Sequence, residues 1–515
     1  MKPIRFPRWL RKLFRRRMLV ALLIVAQAAF FIWLVASGSM VSQRLSQLLT
    51  ITSIRVVLYI VSKRDKGAYK TLWVFLILCF PILGGLLYLI VTCQTATRLM
   101  QRDIQNVREK TQPLYDLPGD GYEKARNMTG SHFPQVRYLQ DYVGYPVYSN
   151  TRTTYLSPGE SFHERLLTQL EKAEHYIFLE FFIVQEGVFW DSIFEILKRK
   201  AAAGVKVRLI YDDLGCFFML PTDFVKQMEH YGIECAIFNP FRPILTVKQN
   251  NRDHRKIVVI DGKVAFTGGI NLADEYINAK EKYGHWKDSA IMLEGKAAWS
   301  FTLMFLEMWQ LCKKCDEDIA SYYPWQFVPC DVEPDGLVQP YADSPMDKEN
   351  VGEHVYLQIL NEAKDYVYIN TPYLIVDDSM ISALCLAAKS GVDVRIITPH
   401  KWDKRIVHIT TRSYYQELIR SGVKIYEYTI GFNHAKTFVS DDAVATVGTT
   451  NLDFRSLYHH FECGTVVYGS RAVMEVKEDF LNTLTICHQI TQEDLRSNVF
   501  MRMLQDVLRL FAPLM

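Results

Sequence analysis

HRKIVVIDGKVAFTGGIN at residues 254–271 and HAKTFVSDDAVATVGTTN at residues 434–451 are two copies of one pattern, a histidine, a lysine, an aspartate, a glycine and a closing asparagine at identical spacing. Five chemically specific residues in matched register mark a duplicated unit. In an extended chain the side chains at i and i+2 share a face, so His254 is expected to point with Lys256, and His434 with Lys436. Ile260-Asp261-Gly262-Lys263 reads as a tight hairpin, because Asp-Gly is a favoured central pair. Asp261 and Asp441 are therefore expected mainly to brace the turn, with direct catalytic duty the lesser expectation. The return strands end in glycines, which let the chain bend sharply and bring Asn271 or Asn451 back toward the His-Lys end. There a side-chain amide can donate to a phosphate oxygen.

Outward from these motifs the same order of elements occurs twice. HYIFLEFFIV (175–184), a helical stretch ending at Ala203-Gly204 and the strand VKVRLIYDD are matched by YVYINTPYLIV (366–376), a helix ending at Ser390-Gly391 and VDVRIIT. Each half continues with a helix, a Gly-led strand (YGIECAIF or SGVKIYEY) and then its motif. The first half carries a ten-residue longer loop around FRPILTVKQN, since Gly232 precedes His254 by 22 residues and Gly422 precedes His434 by 12. Strands alternating with helices imply β-α-β units and sheets sandwiched between helices. The expected fold is α/β, with two pseudo-twofold-related α/β/α sandwich halves in one chain; two independently functioning domains are the alternative.

Two histidines, two lysines and two asparagines meeting at one point suit a phosphodiester. One neutral histidine can attack phosphorus while the other, protonated, hands its proton to the leaving alkoxide. Lysine cations and amide donors stabilise charge on the remaining oxygens. The scheme needs no metal and no cofactor. Each histidine needs a partner at its other ring nitrogen, and Asp288 in HWKD and Glu462 in HFECG are the candidates. His459-His460 lacks metal-ligand company and is read as a supporting or surface pair.

Of the 515 residues, Lys2, Arg5, Arg8, Arg11, Lys12, Arg15, Arg16 and Arg17 put +8 into the first 17, so a chain of net charge +3 has a body near −5. That body lacks the basic footprint of a nucleic-acid binder, and the basic arm suits anionic lipid. Charge-free runs at about 18–37 and 71–92 are each long enough to cross ~30 Å of hydrocarbon as a helix. The apolar stretch 48–61 carries Arg55 near its middle and is expected to lie at the interface. Two spans return the chain to the side of the basic arm, which the positive-inside rule makes cytosolic. The expected organisation is a basic arm and anchor over 1–110, a first half over 111–340 and a second over 341–515, in the cell membrane as a multi-pass protein. The ten cysteines form no regular framework, and Cys312 and Cys315 are expected as reduced thiols on one helix. Near the C-terminus Phe500, Leu504, Val507, Leu508 and Phe511 share a helical face, expected to pack on the protein; with Arg502 and Arg509 it offers a lipid-facing alternative.

With NRDHRKIVVIDGKVAFTGGINLADEY, HWKD, NTPYLI, NHAKTFVSDD, GTTNLDFRS and HFECG in view, the sequence resembles the phospholipase D superfamily, and more closely its bacterial cardiolipin synthases. The resemblance extends to the N-terminal hydrophobic segments, with Trp73, Pro81, Gly84 and Tyr88, and to the closing RLFAPLM. It implies phospholipase D-like halves that transfer a phosphatidyl group from one phosphatidylglycerol to another, giving cardiolipin and glycerol. Carried over, His254 is the nucleophile that forms a phosphohistidine and His434 the general acid and then base, with exchanged roles allowed by the near-symmetry. Lys256, Lys436, Asn271 and Asn451 hold the phosphate. Gly269 stands where many relatives have serine, and Thr449 is the expected hydroxyl of the second half. The implied partners are phosphatidylglycerol and other anionic membrane lipids. A phospholipase D-type hydrolase or a phosphatidylserine synthase would use the same residues. The acidic body and apolar runs argue against a nuclease, and two complete motifs argue against a non-catalytic lipid-binding protein.

Overall fold

The computed structural model describes residues 40–515 apart from 64–65, 81–83, 86–87, 89–94, 117–120, 242–248 and 327–329, together with Val25, Ala29 and Trp33. Contacts divide the chain into two units, one of Met1–Leu99, Phe241–Asn250 and Arg509–Leu514, the other of Met100–Pro240, Asn251–Leu508 and Met515.

In the first unit the stretch expected at the interface lies inside one helix, Met40–Ser62. Ile60 packs on Ile77 and Tyr88, with Val56, Val57, Trp73 and Val74 around them, while Leu48, Ile51, Ile54 and Leu58 are exposed. The first expected span lies outside the described residues save for Val25, Ala29 and Trp33. Within the second, the helix Gly67–Cys79 ends at Phe80, where Pro81 follows; a proline disfavours helical geometry in the residue before it. Among the described residues no helix is long and apolar enough to cross a membrane.

The second unit holds two sheets built alike. The first has seven strands in the order Thr151–Leu156, Ala290–Gly295, Val264–Gly268, Ile257–Ile260, Tyr176–Phe181, Lys206–Asp212 and Ile233–Phe238. The second runs Leu337–Asp343, His460–Tyr468, Val444–Gly448, Thr437–Ser440, Tyr366–Asn370, Asp393–Pro399, Lys424–Tyr428 and Cys487–Gln489. In both, three strands are parallel, as β-α-β crossovers require, and the motif hairpin joins the first of them antiparallel. The alternation of side chains along Tyr176–Phe181 separates two helical layers. Ile177, Leu179 and Phe181 join the core with Phe162 and Leu166 of helix Gly159–Leu170 and Ile193 and Leu197 of helix Val188–Ala202. Phe178 stacks instead on Phe305 of helix Ala298–Lys313, ring centroids 4.6 Å apart. Tyr368 and Phe480 repeat that stack at 4.9 Å in the second half. Both halves are thus α/β, with helices on the faces of a mixed sheet.

The motif aspartates sit at the hairpin turns, with positive φ of 52° at Asp261 and 54° at Asp441. Asp261 accepts hydrogen bonds from the backbone N–H groups of Glu174, His175 and Tyr176 at 2.7–2.8 Å. Asp441 does the same for Lys364, Asp365 and Tyr366 at 2.7–3.0 Å. Each clamps its turn to the start of the neighbouring strand, at the end of the hairpin away from the histidine.

Two other expectations change. Helix Ala298–Lys313 ends before Cys315, with Lys314 at φ 53°, so Cys312 and Cys315 are not on one helix. On helix Val499–Leu510, Phe500 is 75% and Val507 52% exposed, so the apolar face is not packed as expected; Leu504 and Leu508 are half-buried.

Asp261 is buried and Asp441 less so. Asp261→Ala is therefore expected to cost about 3 kcal/mol, and Asp441→Ala about 1–2 kcal/mol, through backbone donors left unpaired. Thermal unfolding of the purified variants checks the order, and a larger loss in Asp441→Ala would contradict it.

Candidate active site

Each histidine sits just ahead of its hairpin strand, and a short strand just before it crosses to the other half. Arg252–Asp253 pairs in parallel with His460 and Phe461, and the N–H of His254 donates to the Phe461 carbonyl at 2.9 Å. Gly431–Asn433 pairs in parallel with His285–Lys287, and the N–H of His434 donates to the Lys287 carbonyl at 2.6 Å. These ladders carry each orienting carboxylate across. His254 Nδ1 lies 2.9 and 3.0 Å from the two Glu462 carboxylate oxygens. His434 Nδ1 lies 2.6 Å from Asp288 Oδ2. The two carboxylates expected to orient the histidines each lie within hydrogen-bond distance of the histidine of the opposite half. With Nδ1 engaged, Nε2 of each ring is the nitrogen left for chemistry.

The lysines lie beside their histidines, although the regular strands begin one residue later, at Ile257 and Thr437. Lys256 Nζ donates to the His254 carbonyl at 2.5 Å. Lys436 Nζ contacts the His434 carbonyl and lies 2.9 Å from His434 Nδ1. All four side chains are buried, and burial shifts them toward their neutral forms. Burial, helped by Lys256 and opposed by Glu462, lowers His254 to about 3. Burial and Lys436, opposed by Asp288, lower His434 to about 4. Lys256 falls to about 8 and Lys436 to about 7, again chiefly by burial.

The remaining expected residues divide. Asn271 donates to the Tyr276 hydroxyl at 2.8 Å and accepts from the Ile183 N–H at 3.0 Å. Asn451 donates to Asp453 at 3.1 Å, and its Oδ1 is buried without a protein partner. Thr449 is not a free hydroxyl for substrate: its Oγ1 contacts Glu462 Oε2 and accepts from the Cys463 N–H at 3.0 Å, so it braces the carboxylate. A Cβ at Gly269, the matching position, would stand 2.1 Å from Asp288 Oδ1. The glycine is the space that Asp288 occupies. Asp261 and Asp441 stay at the turns described above and do not join the histidines.

Three features escaped the sequence reading. The crossing of the carboxylates left no local signal. Arg255, inside the first motif, is buried with Glu180 at 2.6 Å and Asp253 at 3.2 Å, and the lone acid within HYIFLEFFIV was its trace. His460 is neither on the surface nor without company, for its ring lies 5.4 Å from that of His254. A metal ion here would find donor atoms of His254, His460 and Glu462 within 4.8 Å of one another, but it would compete with the His254–Glu462 hydrogen bond.

Comparison with known proteins places this architecture. Residues 166–309 and 356–484 match the family described as cardiolipin synthase, PLD-like domain, and residues 48–91 match a phospholipase D-nuclease N-terminal family. The fold is similar to that of a phosphatidylserine synthase from Haemophilus influenzae, at TM-score 0.54 and 14% identity over 72% of this chain and 95% of that one. Cardiolipin synthases of Halalkalibacterium halodurans and Alkalihalophilus pseudofirmus are each 32% identical, over 91% and 97% of this chain and 93% and 98% of their own lengths. An uncharacterized protein of Streptococcus mutans is 44% identical over 89% of this chain and 99% of its own. The chain belongs to the cardiolipin synthase family of phospholipase D-like proteins.

The crossing makes a specific expectation. Glu462→Gln should shift the ring-nitrogen NMR signals of His254 and leave those of His434 close to unchanged, and Asp288→Asn should do the converse. Each should lower turnover by roughly 100-fold, as the loss of an orienting carboxylate does elsewhere. Same-half coupling in the spectra would refute the crossed arrangement.

Proposed function

We propose that this chain is a cardiolipin synthase, a phosphatidyltransferase that moves the phosphatidyl group of one phosphatidylglycerol onto a glycerol hydroxyl of another and releases glycerol. The observation that carries the reading is the pair of buried histidines, one in each motif and each on a carboxylate of the opposite half, with Lys256 of the first motif near enough to act electrostatically on His434 and Lys436 of the second. In the proposed sequence Nε2 of His254 attacks phosphorus while His434 gives its proton to the departing glycerol oxygen, so that the P–O bond breaks as the P–N bond forms. The hydroxyl of a second phosphatidylglycerol then loses its proton to His434 and attacks the phosphohistidine, breaking the P–N bond and freeing His254. Burial lowers both histidines and so favours their neutral forms in the free protein. The negative charge of an arriving diester favours protonation of the ring beside the leaving oxygen. Lys256 and Lys436 neutralise the diester, and Asn271 and Asn451 support its oxygens.

The same proposal covers the organisation of the chain. The basic arm and anchor fill 1–110, with spans at about 18–37 and 71–92, and the phospholipase D-like halves fill 111–340 and 341–515. The protein is a multi-pass protein of the cell membrane with its active site on the cytosolic side, it acts on anionic phospholipids, and it does not bind nucleic acid. The charge-free runs and the eight basic residues of the first 17 support this arrangement.

Labelled phosphatidylglycerol supplied to the purified protein should yield cardiolipin and free glycerol; phosphatidic acid as the sole lipid product would make it a hydrolase. The lysines add a pH dependence. Their cations are complete below their lowered pKa values and are lost as pH rises through about 7 to 8. The ratio kcat/KM, which reports the free enzyme, is therefore expected to fall across that window, and a flat profile from pH 6.5 to 9 would remove the lysines from this role.

A further inference from the structure

The strand His460–Tyr468 opens with a histidine two residues ahead of Glu462, and side chains at i and i+2 of a strand share a face. His460 and Glu462 therefore point together, and His254 meets them from the other half. His254 Nδ1 stands 2.9 Å from Glu462 Oε1, and His460 Nδ1 stands 3.7 Å from the same oxygen. The Thr449 hydroxyl contacts Oε2, so Oε1 is turned to both imidazoles. One donor atom from each of the three residues lies within 4.8 Å of the others.

The mechanism above gives His460 no role, yet its side chain is only 10% exposed. Among the described residues neither of its buried ring nitrogens has a hydrogen-bond partner, and 3.7 Å to Glu462 is too long for one. Buried polar groups are paired in native proteins, so an unpaired imidazole aimed at a carboxylate and a second imidazole points to something that binds among them. Two imidazoles and a carboxylate form a donor set of the zinc class, with a fourth position left open. Donors about 2.0–2.2 Å from a tetrahedral ion stand about 3.3 Å apart. The two spacings at Oε1, 2.9 and 3.7 Å, bracket that value. The other half cannot match the set. Trp286 holds the place two residues ahead of Asp288, its ring 5.2 Å from that of His434, and an indole N–H donates without offering a lone pair to a metal.

We propose that His254, His460 and Glu462 form a single binding site for a divalent transition metal of the zinc class, and that the ion inhibits the protein reversibly. The metal replaces the His254–Glu462 hydrogen bond. Attack by Nε2 builds positive charge on the His254 ring, which Glu462 stabilises and a cation on Nδ1 opposes. The nearby Lys256 cation, which acts on His254, keeps the site weaker than a structural zinc site, so a chelator should reverse the inhibition. Binding of the ion does not depend on which alcohol receives the phosphatidyl group.

The test is titration of the chelator-treated full-length protein with zinc alone, read by competition with a chromophoric chelator. The wild type is expected to bind a single equivalent. His460→Phe, which keeps a flat ring, and His460→Gln should each weaken zinc by about 100-fold or more, since losing even a partner of a metal ligand costs about 10- to 100-fold. His460→Cys, which restores a zinc ligand, should bind more tightly than either. Zinc should shift the ring-nitrogen NMR signals of His254 and His460 and leave those of His434 close to unchanged. Turnover should fall with the same midpoint as binding and return on adding the chelator. No binding by the wild type, unchanged affinity in both the phenylalanine and glutamine variants, or a zinc-dependent shift at His434 in place of His254 would overturn the site. Zinc bound at His254 with turnover unaffected would overturn the inhibition.

Discussion

Each motif histidine is held by a carboxylate that belongs to the other half of the chain, and the rest of the candidate site follows from that exchange. Glu462 reaches His254 and Asp288 reaches His434 because short strands cross between the halves and hydrogen-bond the backbone beside each histidine. Neither half alone supplies the carboxylate that its own histidine meets at Nδ1. A buried carboxylate without its partner would be costly, so each half stabilises the buried acid of the other.

The frame is symmetric, but its fittings are not. The longer Glu462 is braced by Thr449, while the shorter Asp288 occupies the room that Gly269 leaves. Arg255 is buried with Glu180 and Asp253, whereas the corresponding residue of the second motif is Ala435. Trp286 and His460 line opposite sides with an indole and an imidazole. A duplicated unit that kept its backbone and diversified these positions gives its two histidines different neighbours.

Phosphoryl chemistry and lipid chemistry rest on different grounds. Two buried histidines and two buried lysines, all shifted toward their neutral forms by burial, support the proposed phosphodiester site whatever the source of the diester. The phosphatidyl group comes from family membership across most of the chain.

The local pattern carried much of this. Identical spacing in two motifs predicted the duplication, the β-α-β order predicted two α/β halves, and the Asp-Gly turn predicted that Asp261 would serve the backbone, because spacing and turn chemistry are properties of neighbouring residues. The identities of Asp288 and Glu462 were also readable as acids near the site. Which histidine each one serves was not, since the pairs span 146 and 208 residues and depend on strands that cross between halves. The same holds for Thr449, read as a substrate hydroxyl and found against Glu462, and for His460, read as a supporting or surface residue and found beside His254. Sequence by itself determined the duplicated unit and the residues of its motif; only the tertiary structure decided their partners, because a hydrogen bond between the halves is set by three-dimensional register that no local spacing records.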